Sequence, residues 1–152
     1  MKARLSPRRA TIVTPEQSLL MKLFAMDANV LFTTETTGGA GWVVLGHLEP
    51  GAGPPDHVHF KQDEMFYVLD GTFEFAIGDQ IATAGPGTII FVPRTVVHRF
   101  RNVGTTRARL LEWSLPGGLD HYFRGTSDLA ARDAFIREQA MEMLADRLGD
   151  DR

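Results

Sequence analysis

The sequence predicts a domain built almost wholly of β-strands, arranged as a barrel or a sandwich. From residue 42 onward, short apolar runs recur at the spacing of roughly 8 to 12 residues that is typical of such folds. Turn residues separate several of them, as at Asp70-Gly71 and Gly78-Asp79. The predicted strands cover residues 42–48, 57–60, 64–70, 72–77, 80–84, 88–92, 97–101 and 107–114.

Length and composition limit the possible classes of protein. The 152 residues suit one domain with its own core, and 43% hydrophobic with 23% charged residues is a globular composition. A net charge of −3 argues against a nucleic-acid partner, although the first nine residues carry four cations. Cysteine is absent, which excludes thiolate ligands and cysteine nucleophiles. No apolar run is long enough for a membrane span, so we expect a cytoplasmic protein without a membrane partner.

The ends of the chain differ from its middle. Residues 1–18 are predicted to be an arm with one short strand at 10–13, and the apolar runs 19–26 and 30–34 to be edge or covering strands. The barrel core is expected over about 30–115. Apolar residues at 129, 136, 140, 144 and 148 predict an amphipathic helix over about 128–148. Because no linker separates these parts, residues 1–152 are predicted to form a single domain.

Two neighbouring strands have different apolar patterns. Phe73, Phe75 and Ile77 alternate with less apolar residues, which predicts a strand with one buried face. Residues 65–69 are apolar on both faces, so the face opposite the core needs another cover. An N-terminal segment or a second subunit could supply that cover, and we expect a homodimer.

A cluster of histidines and one carboxylate is the main candidate site. His57 and His59 are two residues apart, so in an extended strand their imidazoles share one face. Glu64 is predicted to begin an antiparallel strand that returns its carboxylate to them, and His98 comes from a second stretch with a similar plan. Imidazole with carboxylate suits Fe, Mn, Ni, Co, Cu or Zn and disfavours Ca²⁺ and Mg²⁺. The alternative is that the histidines pair with water in an empty barrel.

These residues carry a family resemblance. The pattern G-x5-H-x-H-x4-E-x6-G is complete, and G-x5-P-x-G-x2-H-x3-N is complete except that Thr95 replaces the second glycine. The matching positions are Gly51, His57, His59, Glu64 and Gly71, followed by Gly87, Pro93, His98 and Asn102. The chain therefore resembles the cupin superfamily. The resemblance implies a double-stranded β-helix, or jelly-roll barrel, that holds one divalent transition metal.

The proposed ligands leave room for chemistry on the metal. Four protein ligands on an octahedral ion leave two positions open, and Glu64 could leave the metal to act as a general base. Aromatic and apolar residues predict a cavity for a flat, hydrophobic molecule, although core packing also explains them. The candidate pocket residues are Gln62, Phe66, Val68, Phe73, Phe75, Phe91 and Phe100.

Three functions remain open on this evidence. The first is a dioxygenase, because the motif regions and a Leu-Pro-Gly-Gly sequence look like small bacterial cupins similar to quercetin dioxygenases. The second is a cyclase or isomerase without redox chemistry, because the chain looks equally like small cupins that cyclise aromatic polyketides. The third is a module that binds a small molecule without catalysis. One fold hosts many activities, so fold alone does not decide.

Overall fold

The computed structural model describes residues 10–122 and Arg137. Apart from Arg137, the predicted helix over 128–148 lies outside the described residues, as do residues 1–9 of the predicted arm. Residues 10–13 are not a strand, and a single 3-10 turn, Pro15–Gln17, precedes the first strand. None of the helical segments within the described part of the chain has the length and apolar character to cross a membrane.

Within residues 10–122, nine strands form two sheets. They are β1 (Leu19–Leu23), β2 (Met26–Phe32), β3 (Trp42–Leu48), β4 (Asp63–Asp70), β5 (Phe73–Ile77), β6 (Gln80–Ala84), β7 (Ile89–Val92), β8 (His98–Asn102) and β9 (Ala108–Leu115). The larger sheet has the order β1-β2-β3-β9-β4-β7 and the smaller one β6-β5-β8. All named strand pairs are antiparallel. The prediction of an all-β, double-sheet fold is therefore confirmed.

The sheet begins nearer the N-terminus than the predicted core boundary of about 30. The first two strands form a hairpin whose turn residues, Phe24 and Ala25, both have positive φ. Two left-handed residues are what a tight hairpin turn with the natural strand twist requires. This hairpin extends the larger sheet beside β3.

The predicted strand at 57–60 is wrong, and so is its hairpin pairing with β4. His57 forms one isolated bridge with His98, in which each backbone N–H donates to the other residue's carbonyl at 3.0 and 2.8 Å. The preceding Pro54 and Pro55 have no N–H to donate, which limits regular pairing here. Strand β4 pairs instead with β7 and β9.

The core lies between the two sheets. On β4, Glu64, Phe66 and Val68 point inward and are almost fully buried, as the alternation of the strand requires. The ring of Phe66 packs against Phe75 and Phe100 of the smaller sheet, with centroid distances of 5.4 and 5.1 Å. This aromatic cluster joins the sheets directly beneath the candidate site.

The outer face of the larger sheet is apolar. Strands β4 and β7 expose a group of large apolar side chains there, namely Tyr67, Leu69, Ile89 and Phe91. The pairing register places Met65 between Phe91 on β7 and Trp113 on β9, on the same outward face. This group of residues, called the outer apolar face below, is the uncovered side that the pattern at 65–69 predicts.

Candidate metal centre

Four side chains that could bind a metal meet inside the barrel. Each of His57, His59, Glu64 and His98 offers one nitrogen or oxygen atom, and these four atoms lie within 4.8 Å of one another. All four residues are buried, with exposed fractions between 2% and 7%. The Nε2 atom of His98 is 2.6 Å from Glu64 Oε2, and that of His59 is 3.4 Å from Glu64 Oε1. The structure thus brings together the residues selected from the sequence.

Backbone pairing places these side chains. The bridge between His57 and His98 sets their rings side by side, with centroids 4.2 Å apart. The carbonyl of His59 accepts a hydrogen bond from the Thr95 N–H at 2.7 Å, which ties the first motif to the turn before β8. Glu64 is the first inward residue of β4.

The hydrogen bonds around the imidazoles suit a bound cation. A carbonyl can only accept, so Nδ1–H of His57 donates to Pro55 O at 2.8 Å and Nδ1–H of His98 donates to Val96 O at 2.9 Å. In the neutral rings this leaves Nε2 as a lone-pair donor. At His98 that lone pair faces a carboxylate oxygen, and two such atoms at 2.6 Å need a proton or a metal ion between them. Backbone carbonyls commonly orient metal-binding histidines in this way.

The charges of the cluster also favour a bound cation. Burial, reinforced by the nearby His98, lowers the pKa of His57 to about 3, so its ring is neutral and can act as a ligand. Burial alone would raise the pKa of Glu64, but charge and hydrogen bonds from His59 and His98 hold it well below its ordinary value. Burial also opposes protonation of His98, yet the hydrogen bond and charge of Glu64 raise its pKa. The carboxylate is therefore ionised and attracts positive charge.

A largely apolar cavity opens above the ligands. The space between its walls is about 440 Å³ when the open solvent at its mouth is included. Besides His57, His59 and Glu64, the wall consists of Leu23, Phe24, Met26, Trp42, Leu48, Gly53, Pro54, Phe100, Glu112 and Leu119. The metal ligands and Glu112 supply most of its polar groups.

The structure places the predicted pocket residues in different parts of the barrel. Phe100 lies on the cavity wall. Four others are buried in the core beneath the cavity and do not line it, because they fill the space between the sheets: Phe66, Val68, Phe73 and Phe75. Phe91 is wrong, since β7 turns it to the outer apolar face with 59% exposure. Gln62 is partly buried off the wall and donates a hydrogen bond to Gly117 O at 3.4 Å.

Glu112 is the functional candidate that the sequence analysis missed. Its side chain lies on the cavity wall, opposite Val44 on β3 and Phe66 on β4. Burial, followed by the charge of Glu64 and a hydrogen bond to it, raises the pKa of Glu112 well above its ordinary value. Its inward position, shared with Ala108, Leu110 and Ser114, becomes visible only once the pairing of the strand is known.

The remaining histidines stand outside the site. The Nε2 atom of His47 lies 2.8 Å from Asn29 Oδ1. His121 is exposed after β9. The nearby Leu119 is buried on the cavity wall, because the Asp120 carboxylate accepts hydrogen bonds from the backbone N–H and the hydroxyl of Thr34.

The last motif residue has a structural role. Asn102 is fully buried, and its amide donates to Leu48 O and Thr106 O, each at 2.9 Å. Its side-chain oxygen accepts from the Gly104 N–H, also at 2.9 Å. Asn102 thus joins β3, β8 and the turn before β9 below the ligands.

Fold and site together define a small jelly-roll protein with a buried ligand set of the kind that binds transition metals. Residues 44–114 match the family model described as Cupin domain, Cupin_2. The matched residues include the four candidate ligands, and the described strands have the double-stranded β-helix fold.

Several curated relatives match over part of their length. Protein SchB of Streptomyces halstedii is 34% identical over 86 residues, which cover 56% of this chain and 62% of the relative. Polyketide synthase CurC of Streptomyces cyaneus is 30% identical over 86 residues, covering 56% of each. The probable oxidoreductase virH of Hypocrea virens is 35% identical over 75 residues, or 47% of this chain and 34% of that protein. The aligned part spans less than two thirds of each relative.

Solved structures share the fold. The polyketide cyclase RemF from Streptomyces resistomycificus superposes with a TM-score of 0.60 at 20% identity, covering 70% of this chain and 80% of RemF. At this identity the likeness concerns the fold alone.

Proposed function

We propose that this cupin is a metal-dependent enzyme that cyclises or isomerises a small, enolisable and largely aromatic molecule without redox chemistry. The observation that carries the proposal is the convergence of three imidazoles and one ionised carboxylate at the base of an apolar cavity. The similarity to a polyketide synthase component and to a polyketide cyclase supports this substrate class.

His57, His59, Glu64 and His98 would hold one divalent transition ion, and zinc would suffice for this chemistry. When bound, the ion would supply Lewis-acid polarisation of a substrate carbonyl. The neutral imidazole of His57 and the ionised carboxylate of Glu64 are the protonation states that such binding needs.

Glu64 is the residue placed to accept a proton. In the proposed reaction its carboxylate removes a proton from the carbon next to the substrate carbonyl. The electron pair of the broken C–H bond moves to that carbonyl, which becomes an enolate. The enolate carbon then attacks a second carbonyl of the same molecule, a C–C bond forms, and the proton returns to the new alkoxide. Atoms and charge balance without an oxidant.

The cavity wall would orient the substrate. Trp42 and Phe100 give flat apolar surfaces on which an aromatic molecule can lie, while Leu119 is held over the cavity by Asp120. Such walls exclude water, which otherwise competes for the carbonyl and for the enolate. They provide few partners for the hydroxyl groups of a sugar.

A dioxygenase of the quercetinase kind is the second candidate. The same ligands suit iron, manganese, nickel, cobalt or copper, and the relative described as a probable oxidoreductase supports redox use of such a site. Binding without catalysis is the third candidate. Saturable ligand binding without formation of a product would indicate it.

The test compares metals and oxygen in one assay. Protein stripped with chelator is loaded with zinc or with iron and incubated with a model aromatic polyketone and with a flavonol, each with and without oxygen. We expect the zinc form to convert the polyketone anaerobically and His98→Ala to be inactive. Oxygen uptake by the iron form with no anaerobic turnover would favour the dioxygenase, and a wild type that binds no metal would refute both.

A second copy of the chain is the partner proposed for the outer apolar face. A two-fold interface uses the same surface on both subunits, so a flat apolar sheet face can cover its own copy. Ion pairs close each end of β4 on this face, with Arg94 against Asp63 at 3.0 Å and Arg109 against Asp70 at 2.6 Å. Because each pair is internally neutral, two copies can approach without repulsion between like charges.

A further inference from the structure

The segment that follows β9 closes one side of the cavity. Its first residues are the Leu-Pro-Gly-Gly sequence at 115–118, and the next residue, Leu119, lies on the cavity wall with a side chain that is only 3% exposed. Leu119 begins a single 3-10 turn, Leu119–Tyr122, that belongs to neither sheet. Contacts other than strand pairing therefore hold Leu119 against the cavity.

Thr34, in the loop between β2 and β3, supplies those contacts. Its backbone N–H donates to Asp120 Oδ2 at 3.1 Å, and its hydroxyl donates to Asp120 Oδ1. The same hydroxyl oxygen accepts a hydrogen bond from the Gly118 N–H at 2.7 Å. These three hydrogen bonds, called the clasp below, hold the residue before Leu119 and the residue after it. The clasp thus fixes the position of Leu119 from both sides.

The two segments joined by the clasp are tightly packed. A Cβ added to Gly117 would lie 2.7 Å from both Cγ2 and Oγ1 of Thr34, so only glycine allows this approach. The Gly117 N–H also donates to Gly39 O at 3.0 Å. Asp120 is only 4% exposed, and leaving a buried carboxylate without its hydrogen-bond donors costs free energy. Opening the clasp is therefore unfavourable, and Leu119 stays on the cavity wall.

We infer that Leu119 is a specificity-determining residue that limits the size of the molecule bound at the metal, and that Thr34 and Asp120 are its positioning residues. Leu119 lines the same cavity as His59 and Glu64, so the volume of its side chain is taken from the space beside the ligands. A difference of one methylene group in an apolar pocket changes discrimination between substrates by roughly 10- to 200-fold. This inference rests on the proposed function and adds to it the residue that selects the substrate.

Three β-diketones of increasing size probe the cavity, namely acetylacetone, benzoylacetone and dibenzoylmethane. Each is enolisable and can bind a metal ion through its two oxygens. Their affinities for the Co²⁺ form are measured by calorimetry and by the change in the Co²⁺ absorption spectrum. We expect Leu119→Ala to raise the affinity for dibenzoylmethane relative to acetylacetone about tenfold, and Leu119→Phe to lower this ratio by a similar factor.

Two substitutions of Thr34 separate its hydroxyl group from its shape. Thr34→Val keeps the shape and loses both hydrogen bonds of the hydroxyl, whereas Thr34→Ser keeps them. We expect Thr34→Val to shift the affinity ratio in the same direction as Leu119→Ala, and Thr34→Ser to retain the wild-type ratio. Thr36→Val is the matched control, because Thr36 is an exposed threonine of the same loop whose hydroxyl accepts from the Thr33 N–H at 2.9 Å. It should also retain the wild-type ratio.

The affinity for Co²⁺ without diketone and the melting temperature are measured for every variant. None of the substituted residues is a candidate ligand, so the affinity for Co²⁺ should match wild type. An unchanged diketone ratio in both Leu119 variants would overturn the inference while leaving the metal site intact. A shift in Leu119→Ala without one in Thr34→Val, or an equal shift in Thr36→Val, would refute the role of the clasp. A wild type that binds neither Co²⁺ nor any diketone would instead refute the proposed function.

Discussion

Thr95 adopts a backbone conformation that suits glycine better. It has φ of 71°, in the left-handed region, and occupies the motif position where cupins usually have glycine. A non-glycine residue there costs about 1–2 kcal/mol. Thr95→Gly removes that cost but gives the unfolded chain more freedom, which costs roughly 0.5–1 kcal/mol. Taking the middle of each range, the expected net gain is about 0.75 kcal/mol, or about 1.5–3 °C in Tm for a domain of this size.

The local contacts support this estimate. The Thr95 side chain is exposed, so little packing is lost, and glycine keeps the N–H that donates to His59 O at 2.7 Å. Thr105→Gly is the matched control, because Thr105 is also an exposed loop threonine but has no positive φ. It should lose about 0.5–1 kcal/mol.

Urea and thermal unfolding of metal-free wild type and both variants measure the difference. Thr95→Gly should unfold at higher denaturant and temperature than wild type, and Thr105→Gly at lower. If both variants lose stability equally, the backbone of Thr95 is not strained and the reasoning fails.

Three further predictions follow from the site and its surroundings. Asn102→Ala removes the three hydrogen bonds of a buried amide and should cost about 2–4 kcal/mol in urea unfolding; a cost below about 1 kcal/mol would contradict the role assigned to the amide. When the free metal concentration is about 100 times Kd, removing the metal should lower the free energy of unfolding by about 2.7 kcal/mol, or Tm by roughly 5–10 °C. An unchanged Tm with EDTA would count against a native metal site. Phe91→Glu should convert a dimer to a monomer in sizing chromatography, whereas Ile81→Glu on the smaller sheet, where the side chain is also more than half exposed, should not; a monomeric wild type would refute the dimer.

Local chemistry explains why the ligand set was predictable. His57 and His59 can share a face only if the chain is extended, and Gly53 with two prolines excludes a helix there. The route by which they meet Glu64 was not predictable in the same way. The sequence suggests a hairpin with β4, but the structure pairs His57 with His98, 41 positions later, at an isolated bridge. A pairing between residues so far apart in the sequence is not indicated by the residues around either of them.

Strand parity was the main source of error at the pocket. Residues 89–92 are four consecutive apolar residues, so either face could be the buried one. Pairing with β4 turns Val92 inward and leaves Phe91 outside. On β9 the pattern misleads, because Leu111 and Trp113 face outward while Glu112 faces the cavity. In both strands, the pairing with β4 decides which residues face the inside of the barrel.

The wall of the cavity shows why substrate choice is harder to infer than metal binding. The motif residues supply the ligands and the turns that hold them, whereas most of the apolar wall comes from outside the motifs. Leu23, Phe24 and Met26 belong to an N-terminal hairpin, and Leu119 follows the last strand. Pairing with β3 and the hydrogen bonds of Asp120 help to bring these segments to the cavity. Two cupins with identical motifs can therefore bind one metal and select different molecules, so substrate screens should vary these wall residues first.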